Sequence, residues 1–350
     1  MFSEFASNVI LSKARTMYGK RLTIQNYEDL LACQSVGEVA GYLKDQTVYG
    51  KILSGIETSE IHRGQLEAKL KQKLWEDYAS LCHYEITVGE RFAQYFIERN
   101  EIEQILHAIL LLDAGMPEEY LFNMPSYLLH HTKINLKSLS KIESFDDLLR
   151  TVGHTEYRSI LEPFHPDESG WINYTGIESA LYSYLYKNMF RIIRKYTHGE
   201  TTKQLHDILK SYIDLTNFAR IVRLKISYHS DPEFIKKALL PYGTFSEHLL
   251  NKMIEAQSED ELLSILGTTE IGKRALKFKH DYVGEIPRRM NFRNCRHYLD
   301  FSTHPSVVLI SYIFTSETEI SDIITIVEGI RYKLPAEEIR KLLVIINNEL

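Results

Sequence analysis

The stretch SEDELLSILGTTEIGKRAL, residues 258–276, decides the fold because it occurs in three versions. SVGEVAGYLKDQTVYGKIL fills residues 35–53, and SFDDLLRTVGHTEYRSIL fills residues 144–161. Each opens on a serine with an acid three positions on: Ser35 and Glu38, Ser144 and Asp147, Ser258 and Glu261. This is capping-box spacing. The hydroxyl accepts from a free N–H of the first helical turn, and the carboxylate reaches back to the N–H of the cap residue. Eleven or twelve residues after the serine comes Thr47, Thr155 or Thr269, placed to cap a second helix. Apolar residues at helical spacing, such as Leu148, Leu149 and Val152, fill the interval. The unit reads as a short helix, a turn and another short helix.

A second block follows each of these. It reads ERNEIEQI from Glu98, DLTNFARI from Asp214 and EISDIITI from Glu319. The aligned positions are Glu98, Asp214 and Glu319, then Glu101, Asn217 and Asp322, then Ile102, Phe218 and Ile323, then Ile105, Ile221 and Ile326. Two motifs recurring three times in one order, at similar separations, make a stronger repeat than either alone. Between the blocks run amphipathic stripes: Leu66, Leu70, Leu74, Tyr78 and Leu81, then Ile177, Leu181, Leu185, Met189, Ile193 and Tyr196. The third copy is shorter and more basic here, and Pro287 interrupts or starts its helix. Turn signals at 115–125 and 240–243 divide the chain into helical repeat domains of residues 1–115, 116–239 and 240–350. A chain of 350 residues is long for one core, which agrees with that division. The expected fold is all-α, with three similar helical domains.

Composition narrows the function. Hydrophobic residues at 44% and charged residues at 25% are ordinary soluble globular values, and nine prolines leave little for a turn-rich β-sandwich. A net charge of −6 argues against a general nucleic-acid binder. Cys33, Cys82 and Cys295 are odd in number, far apart and suited to a reducing compartment. The N-terminus reads as an amphipathic helix with Phe2, Phe5, Val9 and Ile10 as its stripe, not as a signal peptide. The most apolar run, residues 105–112, falls far short of the roughly 20 residues a membrane span requires.

The search for chemistry returns no phosphate loop, no GxGxxG, no HExxH and no GxSxG elbow. No catalytic, metal, cofactor or small-molecule substrate site is therefore expected. His130–His131 are neighbours that a helix would point apart, so they are read as a loop or surface pair. Glu98, Asp214 and Glu319 recur once per repeat, whereas a catalytic pair must converge on one cleft. They are read as structural, capping or pairing within each unit. Between Lys273 and His297 eight bases, among them Arg288, Arg289, Arg293 and Arg296, face two acids, Asp281 and Glu285. Such a face suits contact with an acidic partner or lipid headgroups. Lys13, Arg15, Lys20 and Arg21 form a smaller basic cluster ending the first helix, with Lys13 and Arg15 as further candidate contacts.

The residues also carry a family resemblance over essentially the whole length. LTIQNYEDLLACQSVGEVAGYLKDQTVYGKIL, DLTNFARIVRLK and HPSVVLISYIFTSETEISDIITIVEGIRYKLPAEEIRKLL resemble the three repeats of one V-type ATPase family, the C subunit of archaea and bacteria and the d subunit of eukaryotes. Glu101 and Asp322 stand where that family often has Asn. The resemblance implies a pseudo-threefold funnel of three helical domains. It implies a non-catalytic rotor subunit, peripheral to the membrane on its cytoplasmic side, with the proteolipid ring and the central shaft as partners. Torque would pass between shaft and ring as H⁺ or Na⁺ moves. A soluble helical-repeat scaffold for another partner is the alternative, although such repeats usually run to about 20–50 residues.

Overall fold

The structure is a computed structural model describing residues 2–85, 88–168, 170–277 and 283–349. Lys279 and Asp281 of the basic segment lie outside the described residues, as do the side chains of Phe2 and Phe5. Among the described residues the chain is all-α, with no strand. Seven long helices organise it: α1 (Phe2–Tyr18), α2 (Arg63–Cys82), α3 (Gly89–Asp113), α4 (Tyr174–Tyr196), α5 (Gly199–Val222), α6 (Glu285–Phe301) and α7 (Pro305–Arg331).

The stripes fold as their periodicity dictates. Leu66, Leu70, Leu74, Tyr78 and Leu81 of α2 are buried, as are Ile177, Leu181, Leu185, Met189 and Ile193 of α4. Pro287 sits in the first turn of α6, where its missing N–H costs nothing. The long helices pair as α2–α3, α4–α5 and α6–α7, one hairpin per third of the chain. Each packs on the next in chain order, and α7 returns to pack on α2, so the six close into a ring. α1 lies against α7 from outside that sequence.

The three hairpin turns meet at one end. Ser306 Oγ donates to Glu85 Oε1 at 3.1 Å, Thr201 Oγ1 lies 2.9 Å from His304 Nδ1, and Arg91 stands over the Tyr196 ring at 5.6 Å. Arg15 serves this end too, donating to the carbonyls of Leu299 (2.9 Å) and Ser302 (2.6 Å) where α6 runs out of internal partners. One continuous core draws on α1 to α5, α7 and the last turns of α6, from Ala14 to Ile346, and a second gathers Leu215 to Met290.

At the opposite end the long helices stop alike. After α3, Met116 N donates to Leu111 O, and after α7, Leu334 N donates to Gly329 O, both at 2.9 Å. These are Schellman closures, which need a left-handed residue. Gly115 supplies it at φ 70, but Lys333 supplies it at φ 56. After α5 a π-turn, Arg223–Ser227, inserts one residue, and the closure becomes Ser230 N to Leu224 O around His229 at φ 50. A side chain at such a φ is strained where glycine is not. Lys333→Gly is therefore expected to raise stability by about 0.5–1 kcal/mol, read from urea midpoints at constant m-value. An unchanged or lower midpoint would count against this reading of the closure.

Candidate functional site

The repeated serines and threonines set the short helices around the ring. Ser35, Ser144 and Ser258 accept from the N–H of Glu38, Asp147 and Glu261 at 3.1, 3.2 and 3.2 Å. The carboxylates, however, pass over the N–H of the cap residue. They accept from the residue before it: Gln34 N (2.8 Å), Glu143 N (3.1 Å) and Gln257 N (2.7 Å). With the serine extended at φ −147, −148 and −145, that outer N–H swings over the first turn.

The threonines need correction. Only Thr269 caps a second helix, accepting from Gly272 N at 2.9 Å. Thr47 instead closes the helix Val36–Gln46, donating to Leu43 O at 2.5 Å, and the next helix starts after Tyr49. Thr155 stands at the cap position of Glu156–Leu161 but turns its hydroxyl back to Val152 O at 2.8 Å. Back-donation to the preceding helix is the property all three share, since Thr269 also reaches Leu266 O at 2.7 Å.

The acids of the second block fall into two sets. Glu101, Asn217 and Asp322 each clasp backbone downstream in the chain. Glu101 accepts from Lys133 N and from Thr132 Oγ1 (2.8 Å). Asn217 pairs both ways with Leu240, accepting from its N–H at 2.7 Å and donating to its carbonyl at 2.8 Å. Asp322 accepts from Val344 N at 3.0 Å and Ile345 N at 2.8 Å. Burial pushes the Asp322 carboxyl up to about 6, against those bonds and against Arg288.

Glu98, Asp214 and Glu319 do not converge either. Glu98 accepts from Asn188 Nδ2 at 3.3 Å, Asp214 from Thr244 N and Phe245 N at 2.8 and 3.0 Å, and Glu319 from Leu22 N and Tyr49 Oη at 2.8 and 2.7 Å. Burial raises all three carboxyls. Tyr49 follows Thr47 by two positions, as Tyr157 follows Thr155, and Tyr157 Oη donates to Glu101 at 2.7 Å. Each of these tyrosines thus joins one copy to the long helix of another.

The basic candidates are largely tied into the chain. Arg288 bonds Ser321 Oγ at 2.9 Å and lies 3.5 Å from Asp322; Arg289 pairs with Glu285 at 2.7 Å. Arg293 donates to Asn348, and Arg296 lies 3.7 Å from Asp300. Lys13 reaches Ser80 O at 3.4 Å and stands over the Tyr84 ring. An outside acid would have to compete with these bonds.

A cavity between α2, α3 and α7 has no counterpart in the sequence reading. Of about 500 Å³, it is lined by Glu67 and Lys71 of α2, Arg99 and Glu103 of α3, and Glu317 and Glu328 of α7, with Ile320 and Ile324 between them. Arg99 binds Glu317 at 2.6 Å, and Lys71 lies 3.1 Å from Glu67 and 3.5 Å from Glu103. Burial raises the Glu317 carboxyl, and Arg99 opposes this. Below the pair, Phe314 stacks on Tyr212 at 4.9 Å. Four glutamates and two bases thus share the lining with apolar side chains. The usable signal is a charged residue at a core-facing position of each of two helices, Arg99 and Glu317. Among the described residues no His, Cys, Asp and Glu group could hold a metal ion, and no helix is long and apolar enough to cross a membrane.

Comparison with known proteins places nearly the whole chain in one family. A family model described as ATP synthase (C/AC39) subunit matches residues 10–342. The A-type ATP synthase C subunit of Methanocaldococcus jannaschii is 21% identical over 349 residues, covering 95% of this chain and 85% of that protein. The protein of the same name from Pyrococcus horikoshii is 21% identical over 339 residues, covering 95% and 88%. That of Methanosphaera stadtmanae is 22% identical over 267 residues, covering 75% and 65%.

Proposed function

The chain belongs to the ATP synthase (C/AC39) subunit family, and from that premise we propose that it is a non-catalytic part of the rotor that couples the central shaft to the membrane proteolipid ring. The observation that carries this reading is the closed ring of six helices together with an open cavity between three of them, α2, α3 and α7. A torque coupler needs stiffness and a socket. Interiors packed like crystals have low compressibility and pass strain on. The cavity lies toward the end away from the hairpin turns, where Arg63 pairs with Glu328 at 2.8 Å, and there it would receive the foot of the shaft. The protein would sit peripherally on the cytoplasmic side of the membrane, moving H⁺ or Na⁺ through its partner ring.

Three units of residues 1–115, 116–239 and 240–350, arranged with pseudo-threefold symmetry, belong to the same proposal. One hairpin per unit, one clasp per unit and the tyrosine links between copies support it.

The test is reconstitution. A complex assembled without the chain is expected to hydrolyse ATP at its head but move no ions, and adding the chain should restore transport. Ser321→Trp, placed on the cavity wall, should leave helical content intact and weaken shaft binding by at least about tenfold through steric filling. Transport without the chain would overturn the proposal, and so would full shaft binding by a folded Ser321→Trp protein.

A further inference from the structure

A second concave surface of different chemistry lies between α4 and α5, nearer the turns. It encloses about 820 Å³ and is lined by Phe190 and Arg194 of α4, Lys203, His206 and Lys210 of α5, and Tyr242. It shares no lining residue with the ring cavity. At about 3.6 residues per turn, Lys203, His206 and Lys210 fall on the face of α5 opposite Tyr212, which touches Phe314. No acid lines it, although the chain carries a net charge of −6. Lys203 has a loose partner in Glu200 at 3.6 Å, itself half exposed. Burial and the neighbouring Lys210 push His206 below the usual imidazole range. At neutral pH the charge therefore rests on Arg194, Lys203 and Lys210.

The floor is aromatic and firmly held. Phe190 meets His206 at 5.4 Å and Tyr242 at 5.8 Å. Tyr242 has φ 79, a conformation that an aromatic residue rarely adopts, and its side chain is 43% exposed. The segment is fixed on both sides, by Asn217 at Leu240 and by Asp214 at Thr244 and Phe245. Strain maintained by surrounding bonds marks positions that a fold keeps for use.

The spacing of the bases defines the ligand. Lys203 and Lys210 are two helical turns apart, roughly 10 Å along α5, too far for one phosphate to bridge. Alternate side chains of an extended peptide repeat about every 6.6 Å and can meet both. A recessed groove also disfavours a flat bilayer surface. We propose that this groove binds an extended acidic segment of a partner polypeptide, its carboxylates along Arg194, Lys203 and Lys210 and an apolar side chain on Phe190 and Tyr242. The proposal is independent of the shaft socket, and either can fail alone.

The test is fluorescence anisotropy with the full chain and a labelled peptide EDFEDFE, against its neutral counterpart QNFQNFQ. The acidic peptide should bind in a salt-sensitive way and the neutral one should not. Arg194→Glu with Lys203→Glu should weaken binding by at least about tenfold, and Lys210→Gln by a few-fold. Tyr242→Gly should weaken binding while raising thermal stability, which separates a binding role from a folding one. Lys137→Glu, on an exposed position outside the groove, should change nothing. Failure of the acidic peptide to bind would overturn the proposal, as would equal binding by the groove variants. Capture of tripolyphosphate or of phosphatidylglycerol vesicles without capture of the peptide would overturn it as well.

Discussion

Replacing Asp322 with Ala is expected to lower stability by about 3–4 kcal/mol, because it strands two buried N–H groups at about 1–3 kcal/mol each. Asp322 is fully buried, and its carboxylate is the acceptor for Val344 and Ile345, themselves at 3% and 1% exposure. Arg288, at 40% exposure, adds little. Asn in the same place keeps an oxygen for both N–H groups, as Asn217 does for Leu240. The two substitutions therefore separate hydrogen bonding from charge. Burial raises the Asp322 pKa from 3.8 to about 6, so between those values the folded state binds more protons than the unfolded state. Its contribution to stability is then largest below about pH 4 and falls as pH rises to about 6, by up to about 3 kcal/mol. Asp322→Asn removes that slope. Against the parent it should gain stability steadily from pH 4 to 6.5 and match it at the acid end. Urea titrations at a series of pH values measure this, and parallel curves for parent and Asn would refute the assignment.

The helix class and most of the core were legible because they depend on local periodicity. Ser35, Ser144 and Ser258 announce helix starts within a few residues of themselves, and Leu66 to Leu81 announce a buried face. The partners of the acids were not legible. Asp322 meets residues 22 and 23 positions on, and Glu319 meets Leu22 and Tyr49 almost the whole chain away. Such contacts follow from tertiary packing, which no local pattern encodes. The same limit misdirected the charge reading. Arg288 reads as part of a free basic face in sequence, but α6 turns it toward Asp322, 34 residues on. The groove bases Arg194, Lys203 and Lys210 sit in two helices and collect only when the hairpin closes. The cavity pair Arg99 and Glu317 is more than two hundred residues apart for the same reason.

Gly272→Ala is expected to cost about 3 kcal/mol, although alanine is the better helix former and Gly272 lies within the helix Glu270–Ala275. A Cβ there would stand 1.9 Å from the carbonyl oxygen of Leu266 and 2.5 Å from its carbon. Both are backbone atoms at the end of Glu259–Leu266, and that carbonyl already accepts from Thr269 Oγ1. The methyl cannot be accommodated by a rotamer change. The two short helices must separate, which breaks the bond from Thr269 Oγ1 to Leu266 O. Gly50 is the equivalent of Gly272 in the first copy, three residues after Thr47, and its Cβ would lie 2.5 Å from Lys44 O. The second copy has Arg158 at this place, beside the threonine that turns away from its helix. The close approach occurs with a threonine cap in the third copy and without one in the first. Gly41 provides the contrast. It lies inside Val36–Gln46 with its nearest foreign atom, Thr58 Oγ1, at 3.7 Å, so Gly41→Ala should gain about 0.5–1 kcal/mol from helix propensity alone. Opposite shifts of the urea midpoint for the two Gly→Ala proteins, at unchanged m-value, are the expected result. Equal shifts would mean that the hairpin is looser than its contacts require.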